Sequence, residues 1–266
     1  MPLKRLKNND FFHKFRFRPL RSNTLLSFFS ALALLLFLSG DESHLALQRH
    51  ALANEIRLTA IITGMQTGIY NIDKGVIRAM ARVPRHRYVN WPYKGYAYYN
   101  IALPVDGHDY MIPAPFVTAM MIHLMDIDKD DDVLDIGFGP GYDAAVMAHL
   151  AHSVHSVTQI EPLEQQDHIL SSLNKGYRNI ATRQSGGTLG WPEAGPYDAI
   201  LVRQSMRNVP YSLLNQLKPG GRLVIPIGTQ NESATLTVFM RGPDGSLYKR
   251  PTIHMKAAPL LKGEEI

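Results

Sequence analysis

The sequence contains no cysteine. Disulfide bonds, thiolate metal sites and cysteine nucleophiles are therefore excluded. Strong basic charge is also missing from most of the chain. The formal net charge is +5, but the first 21 residues contain seven Lys or Arg and one acid, and so account for +6. Because the remainder is close to neutral, it has no electrostatic footprint for DNA or RNA, and we expect no nucleic-acid partner.

A long apolar run is a further missing feature. The longest run, at residues 25–38, has 14 residues, whereas a helix that crosses a bilayer needs about 20. An apolar run of about 7–15 residues behind positive charge is typical of a secretory signal. We therefore predict that residues 1–42 are a signal or a short N-terminal anchor, which implies export or inner-membrane anchoring and membrane contact through this leader alone. A buried helix or a misassigned start codon, in an otherwise cytoplasmic protein, is the alternative.

Residues 43–112 form a predicted N-terminal helical and loop region. Apolar residues spaced at three and four predict one helix from residue 43 and a second through residues 72–80. Pro84 follows the second helix, and proline disfavours helical backbone in the residue before it. A loop rich in tyrosine and proline then continues to residue 112.

Strand and helix patterns alternate over residues 113–266, the third predicted region. Short apolar runs predict strands and intervening helices; the strands are at residues 132–137, 154–158, 197–202 and 222–227, and the helices at 144–150 and 169–173. This alternation implies an α/β fold with a doubly wound, mostly parallel sheet behind the N-terminal helices. Such sheets bind ligands at the carboxyl ends of their strands, near the point where the strand order reverses.

A glycine-rich turn follows the first of these strands. Gly137, Gly139 and Gly141 alternate with Phe138 and Pro140, and Asp135 precedes the first glycine by two residues. Glycines let a backbone turn tightly and approach a ligand closely. The spacing differs from the dinucleotide pattern and suits a ligand that carries a carboxylate and an ammonium group, such as the methionyl part of S-adenosylmethionine. A purely structural turn is the alternative.

Several motifs in the same order resemble those of protein-L-isoaspartate O-methyltransferases, over about 180 residues from Ala79 to Leu261. The matching segments are VPRHRYV (83–89), VLDIGFGPGYDAAV (133–146), GTLGWPE (187–193), PYDAI (196–200), LKPGGRLVIP (217–226) and PLL (259–261). The resemblance implies a Rossmann-like class I methyltransferase with S-adenosylmethionine as cofactor. It implies a protein or peptide substrate with an abnormal aspartyl carboxylate. The positions that match the family's cofactor site are Asp135, Gly137, Gly139, Gly141, Thr158, Gly187 and Leu189.

Four positions depart from the family pattern. Pro113 replaces a serine that helps to hold the substrate carboxylate, so no catalytic residue is assigned with it. Thr158 replaces a glutamate that binds the ribose, and residues 185–187 read Ser-Gly-Gly where the family has Gly-Asp-Gly. Gln159 or Glu161 is a candidate replacement for the ribose contact.

The last departure is a pair of arginines. Arg203 and Arg207 stand in a segment where the family has small residues. Because guanidinium groups pair with carboxylates through two hydrogen bonds, they are candidates for a substrate clamp. The alternative is that both are solvated loop charges.

No metal site is expected. His149, His152 and His155 are spaced by three, but they span a predicted helix end and a strand and are more typical of a surface cluster. Trp191 is interpreted as a packing residue near the adenine edge, with direct ligand contact as the alternative.

Two functions follow from these observations. The first is an S-adenosylmethionine-dependent protein-L-isoaspartate O-methyltransferase for the repair of damaged proteins, with weakened or altered activity. The alternative is a catalytically inactive family member that acts as a binding module outside the cytoplasm. The intact glycine turn and Asp135 favour the first, and the changed cofactor positions and the leader favour the second.

Overall fold

A computed structural model describes residues 23–105, 111–158, 176–184, 187–228 and 234–255, with the side chains of residues 23–41 and Met255 excepted. The chain divides into two compact units, Met1–Leu45 and Ala46–Ile266. The region boundaries expected after residues 42 and 112 stay predictions.

The N-terminal helix α1 runs from Asn23 to Thr67. Within the second unit it buries Leu52, Ile56 and Ala60, which are spaced by four and so lie on one face of the helix. Across the described residues, no helix has enough continuous apolar sequence to cross a membrane. The signal or anchor expected over residues 1–42 stays a prediction, because residues 1–22 lie outside the described part of the chain.

A seven-stranded sheet forms the centre of the second unit. Its spatial order is β5-β4-β3-β6-β7-β8-β9, and the strands are β3 (Asp132–Gly137), β4 (Ser153–Thr158), β5 (Ile180–Gln184), β6 (Tyr197–Val202), β7 (Leu217–Ile227), β8 (Ala234–Arg241) and β9 (Leu247–Met255). Strands β3 to β7 are parallel, whereas β8 and β9 are antiparallel. The expected doubly wound, mostly parallel α/β sheet is therefore confirmed.

Helices cover both faces of this sheet. On one face lie α2 (Lys74–Arg82), α3 (Pro115–Met125) and α4 (Tyr142–Met147), and their apolar residues share a core with Val133. On the other face α5 (Tyr211–Asn215) packs Leu213 against Leu134. Successive residues of β3 thus enter opposite cores, as expected of a parallel strand that is covered on both sides.

The remaining elements are short or lie at an edge. Two antiparallel strands of two residues each precede α3: β1 (Leu103–Pro104) and β2 (Met111–Ile112). The predicted helix at residues 144–150 is observed as Tyr142–Met147. The predicted helix at residues 169–173 and the strand resemblance at residues 259–261 lie outside the described residues.

Candidate functional site

The carboxyl ends of β3, β4 and β6 meet at one edge of the sheet. Strand β3 lies where the order reverses, since β4 and β5 continue on one side and β6 and β7 on the other. In register, Gly137 pairs with Thr158, and Ile136 pairs with Val202. The residue after Val202 is Arg203, whose backbone N–H donates to the Ile136 carbonyl at 3.0 Å. The glycine turn is therefore flanked by Thr158 and Arg203.

The glycine turn itself needs glycine at two positions. Gly139 has φ 120° and Gly141 has φ 83°, a region that strains residues with a Cβ. Gly141 precedes α4, and all six residues of that helix are buried. The turn thus brings bare backbone to the strand edge and leads directly into the core.

The side chain of Arg203 lies on this turn. Its Nε is 3.1 Å from Asp135 Oδ1, its Nη2 donates to Asp135 Oδ2 at 3.3 Å, and its Nη1 donates to Asp143 Oδ2 at 3.1 Å. Nη1 also donates to the Phe138 carbonyl at 2.8 Å. A Cβ added at Gly137 would lie 2.5 Å from Arg203 Nε. The guanidinium is therefore in contact with the face of Gly137.

Arg203, Asp135 and Asp143 form an ion cluster, and two hydroxyl groups donate hydrogen bonds to its carboxylates. Ser156 Oγ donates to Asp135 at 3.0 Å, and Thr118 Oγ1 donates to Asp143 at 2.9 Å. The Nε–Oδ1 contact is short enough for an ion pair but poorly directed for a hydrogen bond. Asp135 Oδ1 consequently has no hydrogen-bond partner among the described residues.

The ion cluster holds two carboxylates and one guanidinium in a buried place. Asp135 is 0% exposed and Asp143 1%. Burial raises the pKa of the Asp135 carboxyl above its usual value, although Arg203 opposes the shift. Burial acts to lower the pKa of Arg203, but the charges of Asp135 and Asp143 outweigh it and raise that pKa. Arg203 is therefore charged, and with both carboxyl groups ionised the cluster would carry one net negative charge.

This geometry gives the Arg203 guanidinium partners within the protein, and the substrate clamp expected of Arg203 and Arg207 stays a prediction. Arg203 is buried and its guanidinium serves two carboxylates of the protein, whereas Arg207 is exposed. The alternative of two solvated loop charges is wrong for Arg203, which is buried. The reason is that Asp143 and Asp135 lie next to Arg203 only in the folded chain.

Thr158 occupies the end of β4, as expected. Its side chain is buried, and Oγ1 has no hydrogen-bond partner among the described residues. Gln204 Oε1, in the segment that follows β6, is also buried and has no hydrogen-bond partner among the described residues. Gln159 and Glu161, the candidate replacements for the ribose contact, lie outside the described part of the chain.

Pro113 lies two residues before α3, next to the N-cap residue Ala114. Its carbonyl accepts a hydrogen bond from Arg85 Nη2 at 3.0 Å. Arg85 is 0% exposed and also donates to the carbonyls of Ala97 and Ile101. This role of Arg85 has no signal in the sequence alone, whereas Asp143 has one that was not used: it is the single acid in an otherwise uncharged helix.

The segment that carries Gly187 and Leu189 is a single turn of 3₁₀-helix. Gly187 is buried and Leu189 is 60% exposed. Gln216 holds the end of this turn: its Oε1 accepts from Trp191 N and its Nε2 donates to the Leu189 carbonyl, both at 2.8 Å. The Arg183 guanidinium stacks over Trp191 at 4.7 Å. The packing interpretation of Trp191 agrees with these contacts, and ligand contact is not tested by them.

The Gln216→Leu variant is expected to lose about 2–3 kcal/mol of unfolding free energy, because it removes three hydrogen bonds of a buried amide, those with Trp191 N and with the carbonyls of Leu189 and Ser212, and leaves their partners unpaired. Urea denaturation measures the loss, and hydrogen exchange at the Trp191 amide reports the loosening of the turn. Asn215→Leu, at the exposed neighbouring position, is the matched control and should change stability by less than about 0.5 kcal/mol. Equal losses in the two variants would contradict the role given to Gln216.

The three histidines do not form a cluster. His149 packs edge-on to Tyr177, His155 packs edge-on to Trp191, and His152 contacts Asp132. Within the described ranges, no group of three or more His, Asp or Glu residues is arranged to hold a metal ion.

Comparison with known proteins places this architecture in a family. The family model for protein-L-isoaspartate(D-aspartate) O-methyltransferase matches residues 57–265. Protein-L-isoaspartate O-methyltransferase 1 of Cupriavidus necator is 39% identical over 87% of this chain and 88% of its own length. The protein of the same name from Nitrosospira multiformis is 43% identical over 71% of this chain and 79% of its own length.

A solved structure supports the same fold. It is a Plasmodium falciparum protein described as a protein-L-isoaspartate O-methyltransferase in complex with S-adenosyl-L-homocysteine. It aligns with a TM-score of 0.66 and 21% identity over 81% of this chain and 99% of its own. This likeness concerns the fold, whereas the family model and the two bacterial relatives also match in sequence. The chain therefore belongs to the protein-L-isoaspartate(D-aspartate) O-methyltransferase family.

Proposed function

We propose that this protein is an S-adenosylmethionine-dependent carboxyl methyltransferase that acts on protein or peptide substrates with an abnormal aspartyl carboxylate. The observation that carries the proposal is Asp135 beside the glycine turn: its Oδ1 is buried and has no hydrogen-bond donor among the described residues. Sheets of this type bind ligands at this edge, near the reversal of strand order. The names of the two bacterial relatives support the reaction and the substrate class.

The residues at the turn fit the amino-acid end of this cofactor in charge and in shape. A buried carboxylate oxygen that accepts no hydrogen bond, as Asp135 Oδ1 does among the described residues, matches an ammonium group. The glycines at residues 137, 139 and 141 present backbone without side chains. Thr158 Oγ1, a hydroxyl at the end of β4 that has no hydrogen-bond partner among the described residues, is the polar group that we place at the ribose position. We also assign Gly187 and Leu189 to the cofactor site, near the adenine.

The chemistry makes modest demands on the protein. The bound cofactor would supply an electrophilic methyl group for an attacking carboxylate oxygen. A carboxylate is already ionised at neutral pH, so no general base is required and catalysis depends on alignment. Pro113 has no hydroxyl for the substrate. Arg85 instead fixes the backbone at Pro113, because its guanidinium donates a hydrogen bond to the Pro113 carbonyl.

A methyl-transfer assay with a matched pair of peptides tests the proposal. One peptide carries an L-isoaspartyl residue and the other carries a normal aspartyl residue in the same sequence, and the label is in the methyl group of S-adenosylmethionine. We expect base-labile label on the isoaspartyl peptide alone, and loss of that label in Asp135→Asn. If protein whose circular dichroism spectrum shows it to be folded transferred no methyl group at millimolar cofactor, the result would contradict the proposal and favour the binding module.

A further inference from the structure

We propose that Arg203 is a built-in competitor for the cofactor: its guanidinium and the ammonium group of S-adenosylmethionine use the same carboxylate, Asp135, and one must leave before the other binds. This inference rests on the proposed function. It makes Arg203 a determinant of cofactor affinity.

The contact geometry leaves no room for both cations. Two nitrogens of Arg203 face the two oxygens of Asp135, at 3.1 and 3.3 Å. The same guanidinium lies against Gly137, because an added Cβ there would be 2.5 Å from Nε and 2.9 Å from Nη2. A ligand that lies on the bare face of Gly137 therefore meets Arg203 first.

Charge balance indicates an exchange of cations. If Arg203 left without replacement, the carboxylates of Asp135 and Asp143 would remain buried with no counter-ion from the described part of the chain, and a buried carboxylate without a partner is strongly unfavourable. An incoming ammonium group restores the single positive charge. The form in which Arg203 has left the turn is therefore expected to be the minor one in the absence of a bound cation.

Release of Asp135 requires movement of the Arg203 side chain alone. The Arg203 backbone N–H is bonded to the Ile136 carbonyl at 3.0 Å. The segment that follows is attached to β7, because Met206 N donates to the Pro226 carbonyl at 3.1 Å. Rotation about the side-chain bonds of Arg203 would release Asp135 while both backbone contacts persist.

Competition of this kind raises the apparent dissociation constant. A ligand that binds only the open form has its affinity reduced by the fraction of molecules that are open. If Arg203 vacates the turn in about one molecule in ten or fewer, its removal should tighten cofactor binding about tenfold or more.

Calorimetric titration of the full chain with two probes tests this directly. S-Adenosyl-L-homocysteine carries the ammonium group, and 5′-methylthioadenosine lacks the amino-acid part. In Arg203→Ala the dissociation constant for S-adenosyl-L-homocysteine should fall about tenfold or more, for the reason given above. The constant for 5′-methylthioadenosine should stay within a factor of about two, since it has no ammonium group to compete. Arg222→Ala, which removes a partly exposed arginine that pairs with Asp126, should leave both constants unchanged.

A second variant separates release of space from added negative charge. Arg203→Ala/Asp143→Asn keeps one net negative charge in the cluster, as in the natural protein, and it keeps an acceptor for Thr118. It should show the same gain for S-adenosyl-L-homocysteine, and it provides a test if Arg203→Ala folds poorly.

The outcomes distinguish this inference from the proposed function. Tight binding by the natural protein with no gain in either variant would overturn the competition and leave the proposed function standing. An equal gain for both probes would overturn the role of the ammonium group. No binding of either probe at 1 mM, by the natural protein or by either variant, would overturn the proposed function together with the inference.

Discussion

Arg203→Ala is expected to lower the free energy of unfolding at pH 7 by about 3–5 kcal/mol, the usual cost of leaving a buried charge without its partner. In this variant Asp135 and Asp143, both buried, share no guanidinium. Chemical denaturation measures the change. Arg222→Ala should lose less than about 1 kcal/mol, because its ion pair is partly exposed to solvent.

The pH dependence of this loss has a definite sign. Burial already raises the pKa of Asp135, and removal of Arg203 raises it further. A group with a raised pKa in the folded state makes folding less favourable as the pH rises through that value. The deficit of Arg203→Ala should therefore be largest at neutral pH and shrink as the pH is lowered. Adding Asp143→Asn should recover part of it at pH 7. A deficit below 1 kcal/mol, or one that is independent of pH, would contradict the ion cluster.

Arg85→Met should be the second costly change, with a loss of about 3 kcal/mol or more, because it leaves buried or half-buried carbonyls without donors. Arg85 donates to the carbonyls of Ala97, Ile101 and Pro113 at 2.9, 3.3 and 3.0 Å. It also lies over the ring of Tyr142 at 5.7 Å. The arginine thus ties three points of the loop region to one another and to the start of α4.

Arg85→Lys should restore only part of this loss, since an ammonium group lacks the planar fork that reaches separate acceptors. Arg82→Met, at the exposed end of α2, is the matched control and should be close to neutral. Urea denaturation of the three variants gives the comparison. If Arg85→Met and Arg82→Met were equally stable, the three carbonyl contacts would contribute nothing.

The central strands could be predicted from the sequence because strands inside a parallel sheet consist of short runs of apolar residues. Strands β3 and β6 are buried on both faces and read as short apolar runs between turns. The edge strands were harder to predict. Strand β9 contains Lys249, Arg250 and Pro251, a composition typical of an exposed edge, which needs no continuous apolar run.

The candidate site was predictable in its backbone and not in its charges. The spacing of Asp135 and the glycines identified the turn, because positive φ restricts Gly139 and Gly141. The pairing of Arg203 with Asp143 joins residues 60 positions apart, and no local pattern records such a contact. The sequence therefore predicts a loop charge or a substrate clamp at Arg203, and the ion pair with Asp143 follows only from the fold.

Asp135 is the carboxylate that we propose binds either Arg203 or the cofactor. A crystal structure of the chain with S-adenosyl-L-homocysteine tests this most directly. We predict that the ligand's amino group lies within hydrogen-bond distance of Asp135 and that the Arg203 guanidinium no longer contacts Gly137. A bound ligand with the Arg203–Asp135 ion pair still in place would contradict the account.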